Sequence, residues 1–169
     1  WIVTDKSGNV FKYGVSAGAR QDDPSNAAHV YRWYLEEERD ANDNYIRYTY
    51  TKDGGQIYPS AIFYTGHGSS DGIFEVDFGL EARSDTPTLH STGFSVKSTE
   101  RVSAITIKTK GAISRSYALS YAISTESVRS LLHSITESGY DTGGTMTTLP
   151  PTTFTYTTSG PAGWSLNDW

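Results

Sequence analysis

Residues Asp40 to Tyr50 read Asp-Ala-Asn-Asp-Asn-Tyr-Ile-Arg-Tyr-Thr-Tyr. A run of turn formers (Asp40, Asn42, Asp43, Asn44) breaks directly into residues of period two. Ile46, Tyr48 and Tyr50 then share one face of a strand, and Tyr45, Arg47 and Thr49 the other. The pattern has an earlier copy. Asp5 to Tyr13 reads Asp-Lys-Ser-Gly-Asn-Val-Phe-Lys-Tyr, 35 residues upstream. Both stretches place Asp first, Gly or Asp fourth, Asn fifth, Phe or Ile seventh, Lys or Arg eighth and Tyr ninth. A looser third copy starts at Asp53, in Asp53-Gly54-Gly55-Gln56-Ile57-Tyr58. A chain that repeats a polar turn and a Tyr-bearing strand is built by adding hairpins.

Composition agrees. The 169 residues include 12 Tyr, 16 Gly, one Met and no Cys. Ring-bearing and β-branched side chains suit a pleated surface, and Gly with Asx residues suits tight turns. The expectation is a nearly all-β protein: an antiparallel meander of hairpins, sandwich-like or a curved sheet, of about ten strands. One domain over residues 1–158 is expected to bury roughly 70% of its unfolded surface. Residues 159–169 read as a tail or linker.

Without cysteine there is neither a disulfide framework nor a thiolate metal site. A net charge of -5 argues against a nucleic-acid partner. No apolar run approaches the roughly 20 residues of a membrane-spanning helix. The opening Trp1-Ile2-Val3-Thr4-Asp5 has no basic leader and no Met, so the chain reads as a piece of something longer.

In order, Trp1–Thr4 and Val10–Tyr13 are expected to form a hairpin across Lys6-Ser7-Gly8-Asn9. Gly14 to Ala28 reads as a long loop. Val30 to Arg39 is expected as one strand pairing with 45–52. Ile57 to Tyr64 follows as a strand in which Pro59 marks an edge or a bulge, then a loop at His67–Gly72. Ile73 to Leu80 alternates Glu75 and Asp77 against Phe74, Val76 and Phe78. Ser84 to Gly93 reads as a second long loop. Val102 to Ile123 is a hairpin turning at Lys108–Gly111. Its second arm sets Arg115, Tyr117, Leu119, Tyr121 and Ile123 against Ser116, Ala118, Ser120 and Ala122, a small face suited to close packing by a second sheet or an adjoining domain. For Val128 to Ser138, periodicity favours a helix and the β context a strand. Gly139 to Thr148 is expected as a loop, and Thr152 to Thr157 as a strand.

These residues resemble a family. The turn-strand unit is similar to the YD-type repeat of Rhs proteins. The second half adds an ordered series: Phe74-Glu75-Val76-Asp77-Phe78, Glu81-Ala82-Arg83-Ser84-Asp85, Glu100-Arg101-Val102-Ser103-Ala104-Ile105-Thr106-Ile107, Ser114-Arg115-Ser116-Tyr117-Ala118-Leu119-Ser120-Tyr121, Ser130-Leu131-Leu132-His133-Ser134-Ile135 and Pro150-Pro151-Thr152-Thr153-Phe154-Thr155-Tyr156. This resembles the region shared by SpvB-like virulence proteins and the B component of Tc insecticidal toxins. The resemblance implies a β-sheet segment of a large secreted or cell-surface protein, in whose relatives such sheets form part of a shell around a toxic payload. It also implies a strand at 128–138. The expected partners are neighbouring domains of the same long polypeptide or toxin complex.

SpvB-type proteins also carry an ADP-ribosyltransferase domain. Glu36-Glu37-Glu38 contains Glu-x-Glu, but the required order of Arg, Ser-Thr-Ser and Glu-x-Glu is not met: the only near match to Ser-Thr-Ser, Ser124-Thr125-Glu126, follows the glutamates and lacks the last serine. His29, His67, His90 and His133 lack ligand spacing, and no Gly-x-Ser-x-Gly occurs. Glu75 and Asp77 sit about 7 Å apart by strand rise, a spacing compatible with glycoside hydrolysis and equally with a solvated face. Asp40, Asn42 and Asn44 alternate like the start of a calcium loop, yet no Gly stands at its sixth place and no Glu at its twelfth. The expectation is therefore no catalytic residue, no metal and no cofactor. The rival is a carbohydrate-binding β-sandwich module that stacks a cell-surface glycan on Tyr31, Trp33, Trp164 and Trp169. A planar row of solvent-facing aromatics would favour it.

Overall fold

The computed structural model describes residues 1–157. Fifteen strands occur among them: β1 (Ile2–Thr4), β2 (Val10–Tyr13), β3 (Arg20–Asp23), β4 (Asn26–Trp33), β5 (Leu35–Arg39), β6 (Asn44–Asp53), β7 (Gln56–His67), β8 (Phe74–Ala82), β9 (Thr88–Leu89), β10 (Val96–Lys97), β11 (Glu100–Thr109), β12 (Ala112–Ile123), β13 (Ser130–Tyr140), β14 (Met146–Thr148) and β15 (Thr152–Thr153). One antiparallel sheet runs β1-β2-β5-β6-β7-β8-β11-β12-β13-β14, with β15 also on β13. It is an open meander. Two small ribbons, β3-β4 and β9-β10, are inserted into it.

The repeated turn is a real unit. Asp40 Oδ1 accepts the backbone N–H groups of Asn42 (2.8 Å) and Asn44 (2.9 Å), and Oδ2 accepts the Asn44 amide at 2.8 Å. Asp5 does the same with Ser7, Asn9 and the Asn9 amide. The fourth residue is left-handed in both, Gly8 at φ 85° and Asp43 at φ 68°. The Asp carboxylate thus supplies acceptors for turn N–H groups that the ladder cannot pair.

The third copy is not at Asp53. There Asp53 pairs with Gln56 across a two-residue turn, Gly54 and Gly55 both being left-handed. The matching unit is at Asp141. Its Oδ1 accepts Gly143 N (2.9 Å) and Thr145 N (2.8 Å), and Gly144 stands at φ 83°. Its loop joins β13 to β14, within the stretch expected as a plain loop, and β13 itself continues to Tyr140.

Four further expectations change. Gly14–Ala28 is not a loop: it holds a 3-10 turn at Ala17–Ala19, all of β3 and the start of β4. Val30–Arg39 is two strands, split at Tyr34, whose backbone bonds Ala19 and Gly14. Only β5 joins the main sheet, between β2 and β6. Within Ser84–Gly93, Thr88–Leu89 pairs with β10. Of Thr152–Thr157, only Thr152 and Thr153 are strand. Residues 128–138 are strand from Ser130 on, and Pro59 lies beside a register shift between β6 and β7.

Burial is concentrated. Ala19, Gln21, Asp22, Ile57, Tyr58 and Val96 are buried, and among the described residues no large side chain is below 2% exposure. These six gather where both ribbons close on the tip of the β6-β7 hairpin. Gln21 donates to Gly55 O (3.1 Å) and to Gln56 Oε1 (3.0 Å). Lys52 pairs with Asp22, and Lys97 N–H bonds Gly54 O at 2.7 Å. Elsewhere the sheet is a single layer, without the second layer on which a core ordinarily rests. The small face of β12 is uncovered: Ala118, Ser120 and Ala122 are exposed.

Candidate interaction surface

Register defines two faces, because directly opposed residues of antiparallel strands point the same way. On one face Tyr48, Ile62, Val76 and Ile107 lie in a cross-strand row. A second row runs Phe78, Ile105, Tyr117, and Leu119 opposes Ile135. Tyr64 stacks on Phe74 at 5.2 Å. All of these are half-buried, shielded by their strand neighbours. A contiguous apolar face of this width on one layer has the character of an interaction surface.

The other face is charged and paired. Its row runs Lys12, Glu37, Arg47, Phe63, Glu75, Lys108. Glu37 meets Lys12 and Arg39, both at 2.9 Å, and Arg39 holds its carboxyl below the usual range. Arg47 grips Asp71 at 2.6 Å and lies over the Phe63 ring. Lys108 sits between Glu75 and Asp77. Burial and the adjacent Asp77 raise Glu75. The Glu75–Asp77 pair thus shares a cation on the sheet face rather than flanking a cleft.

Tyr45, at the sixth place of the Asp40 unit where the Asp5 unit has Val10, ties β6 to β7. Its ring covers Gly66 on β7, so closely that a Cβ there would stand 2.5 Å from it. Its hydroxyl donates to Asp71 at 3.0 Å, while Arg39 lies over the ring at 4.4 Å. Partial burial pushes the hydroxyl of Tyr50, half-buried on the opposite face, up to about 12. It donates to Leu35 O at 2.7 Å.

A second knot joins β8, β11 and β13. Arg83 bonds both carboxylate oxygens of Asp85 (3.0 and 2.7 Å), which also accepts Ser130 N at 2.8 Å. These bonds, Arg83 first, hold Asp85 far below the carboxylate range. Arg101 reaches Glu81 (2.7 Å) and Ser130 Oγ (2.6 Å) above the Tyr121 ring. Composition and spacing gave no signal for this knot, beyond its residues falling within the ordered series.

Ser25, Asp23 and His29 do come together, at the β3-β4 turn. Ser25 Oγ, however, donates to Asp23 (2.7 Å), and His29 approaches the other oxygen at 3.6 Å. The carboxylate stands between hydroxyl and imidazole, so no base is placed on the serine. Among the described residues no group of three His, Asp or Glu is placed to hold a metal ion, and no helix is long and apolar enough to cross a membrane.

Tyr31 and Trp33 lie on β4, Tyr31 half-buried and Trp33 40% exposed. The indole of Trp33 rests on Gly14, where a Cβ would stand 2.5 Å away, and meets Trp1 edge-on at 84°. The exposed indoles are therefore not coplanar. Trp164 and Trp169, with the expected linker, lie outside the described residues.

Comparison with known proteins agrees with this geometry. The family model SpvB, described as Salmonella virulence plasmid 65kDa B protein, matches residues 1–67. No curated protein sequence matches significantly. The structure of the N-terminal domain of the effector SpvB from Salmonella typhimurium strain LT2 superposes with TM-score 0.74 at 17% identity, covering 83% of this chain and 61% of that one. TcdB2-TccC3 gives 0.73 at 18% identity, over 89% of this chain and 10% of that chain. TcdB2-TccC3-TEV gives 0.79 at 18%, over 96% and 10%. The chain thus spans less than two thirds of each, and at these identities the superpositions establish shared fold. In sequence over residues 1–67, and in fold over most of its length, the chain is similar to the SpvB N-terminal and Tc-toxin B region.

Proposed function

We propose that this chain is a non-catalytic structural module of a larger exported, toxin-like protein, a panel of β-sheet scaffold that works by contact with neighbouring parts of the same polypeptide or complex. The observation that carries this reading is the single-layer sheet, with one face a paired charge ladder and the other an uncovered band of Ile, Val, Tyr and Phe. Such a face is stable in water only at a cost that a contacting layer removes. The 10% coverage of the TcdB2-TccC3 chain supports the idea of one panel among many.

The test uses the longer polypeptide carrying this chain. Ile62→Asp with Ile107→Asp is expected to abolish its protease-resistant assembly, while the isolated chain keeps its β-rich circular dichroism. Unimpaired assembly in the double variant would refute the panel reading, and so would turnover of sugar or ester substrates by the purified chain. The glycan alternative rests on Tyr31 and Trp33 among the described residues. Glycan-array binding that disappears in Trp33→Ala would establish it.

A further inference from the structure

Where the β3-β4 ribbon closes on the β6-β7 tip, a cleft of about 400 Å³ is lined by Asp22, Asp23, Pro24, Ala27, Lys52 and the Gly54-Gly55 turn. A cleft of this size falls in the range of small-ligand sites. It holds a carboxylate that its neighbours satisfy only in part. Asp22 is 5% exposed. Lys52 pairs with its Oδ1, and among the described residues its Oδ2 has no partner. Every described side-chain N or O that is shut off from solvent does have a hydrogen bond. The Oδ2 atom therefore reaches open space, and for this otherwise buried residue that space is the cleft. A buried ion pair offsets its desolvation only when the remaining lone pairs are also bonded. Lys52 does not supply that bond, since its other contact is Ala17 O at 3.4 Å.

The lining decides which donor suits the oxygen. Three carboxylates, those of Asp22, Asp23 and Asp53, stand against the one ammonium of Lys52, so a cation is favoured over an anion. Among the described residues no aromatic ring lines the cleft, which leaves a sugar nothing to stack on. Pro24 and Ala27 form an apolar wall. An ammonium is compact and strongly hydrated. A guanidinium is planar, weakly hydrated, and donates through a fork that matches a carboxylate.

We propose that this cleft binds the guanidinium of an arginine side chain from a contacting polypeptide. Asp22 Oδ2 is its acceptor, Asp23 adds negative charge, and Pro24 with Ala27 packs against its carbon stem. The site stands on the most buried part of the fold, so its geometry is set before binding. The proposal deepens the panel reading, because a neighbouring segment supplies the arginine.

Amide NMR of the isotope-labelled chain, titrated with Nα-acetyl-arginine N-methylamide, tests this. Saturable shifts are expected at Asp22, Asp23, Ala27, Gly54 and Gly55. The uncharged citrulline analogue is expected to give none, and the lysine analogue to bind more weakly. Asp22→Asn removes the charge from the acceptor and is expected to weaken binding about tenfold or more. Ala27→Phe, at an exposed position at the start of β4, fills the cleft and is expected to abolish the shifts while the spectrum stays that of a folded chain. It decides if Asp22→Asn does not fold. The proposal is overturned if the arginine probe gives no saturable shift, if the citrulline or lysine analogue binds as tightly, or if Ala27→Phe leaves binding intact. The probe reads the isolated chain, so its failure leaves the assembly test of the panel reading standing.

Discussion

The tip of the β6-β7 hairpin and the β12-β13 hairpin are made of similar strands, yet they occupy opposite environments. At the first, two ribbons inserted after β2 and β8 converge, and most of the buried residues collect there. At the second, Ala118, Ser120, Ala122 and Ile123 are exposed, and only strand neighbours flank them. The lesson is that this sheet is anchored at one place, where polar ribbons clamp a glycine turn. Over the rest of its area cross-strand ladders hold it and both faces are left available.

Glycine substitution breaks this contrast most sharply. Gly55 and Gly111 are both left-handed, at φ 77° and 78°. A Cβ at Gly55 would stand 2.7 Å from the Ser95 carbonyl, whereas at Gly111 nothing lies within 4 Å. Gly55→Ala is expected to cost about 3 kcal/mol, from the left-handed backbone and the overpacking together. Gly111→Ala should cost only the backbone part, about 1 kcal/mol. Urea unfolding of both variants measures the gap, and equal costs would mean that the ribbons do not clamp the tip.

Apolar truncation follows. Ile57 is 7% exposed beneath the ribbons, and Ile113 is 42% exposed at the start of β12. Ile57→Ala is expected to lose about 2–4 kcal/mol, since a buried truncation leaves a cavity. Ile113→Ala should stay within about 1 kcal/mol. A comparable loss at both would place a covering layer on β12.

The turns themselves predict a pH response. Hydrogen bonds from Asn9, Asn44 and Thr145 lower Asp5, Asp40 and Asp141 below their ordinary 3.8. The unfolded chain then binds more protons as pH falls, so this stabilisation is complete above 3.8 and drains away below it. Glu75 has the opposite sign. Raised from 4.5 by burial, it stabilises the fold below that value and loses this as pH rises through its folded pKa. Thermal melts across the acid range should show Asp40→Asn flattening the acid limb and Glu75→Gln lifting stability toward neutral pH.

Sequence conveyed local chemistry well and distant chemistry poorly. The Asp turn was legible because everything it needs lies within five residues, as Asp40 to Asn44 shows. Its copy at Asp141 carries no such signature, because Thr145 replaces the Asn and no Tyr strand follows. β3 was invisible to periodicity, since Arg20-Gln21-Asp22-Asp23 has no apolar residue. Gln21 is buried through Gly55, 34 positions away, and Asp22 through Lys52, 30 away. The small side chains of β12 suit close packing by a second sheet or an adjoining domain, and among the described residues no second sheet covers them. Close packing explains small residues in a core, but Ala118 meets no covering layer among the described residues. The apolar face could be read strand by strand, while its continuity depends on registers that the alternation does not specify.

The smallest effect is expected on that small face, and it separates the isolated chain from the assembled one. Ala118 opposes Ala104 on β11 and Thr136 on β13, with open space above. Ala118→Val adds a β-branched side chain where a strand favours one. In the isolated chain its unfolding free energy should change by less than about 0.5 kcal/mol. In the longer polypeptide the same substitution distinguishes the two faces. If neighbours cover only the apolar face, Ala118→Val is silent there as well. If its assembly fails while the isolated chain remains stable, the small face is a second contact, and the panel is covered on both sides.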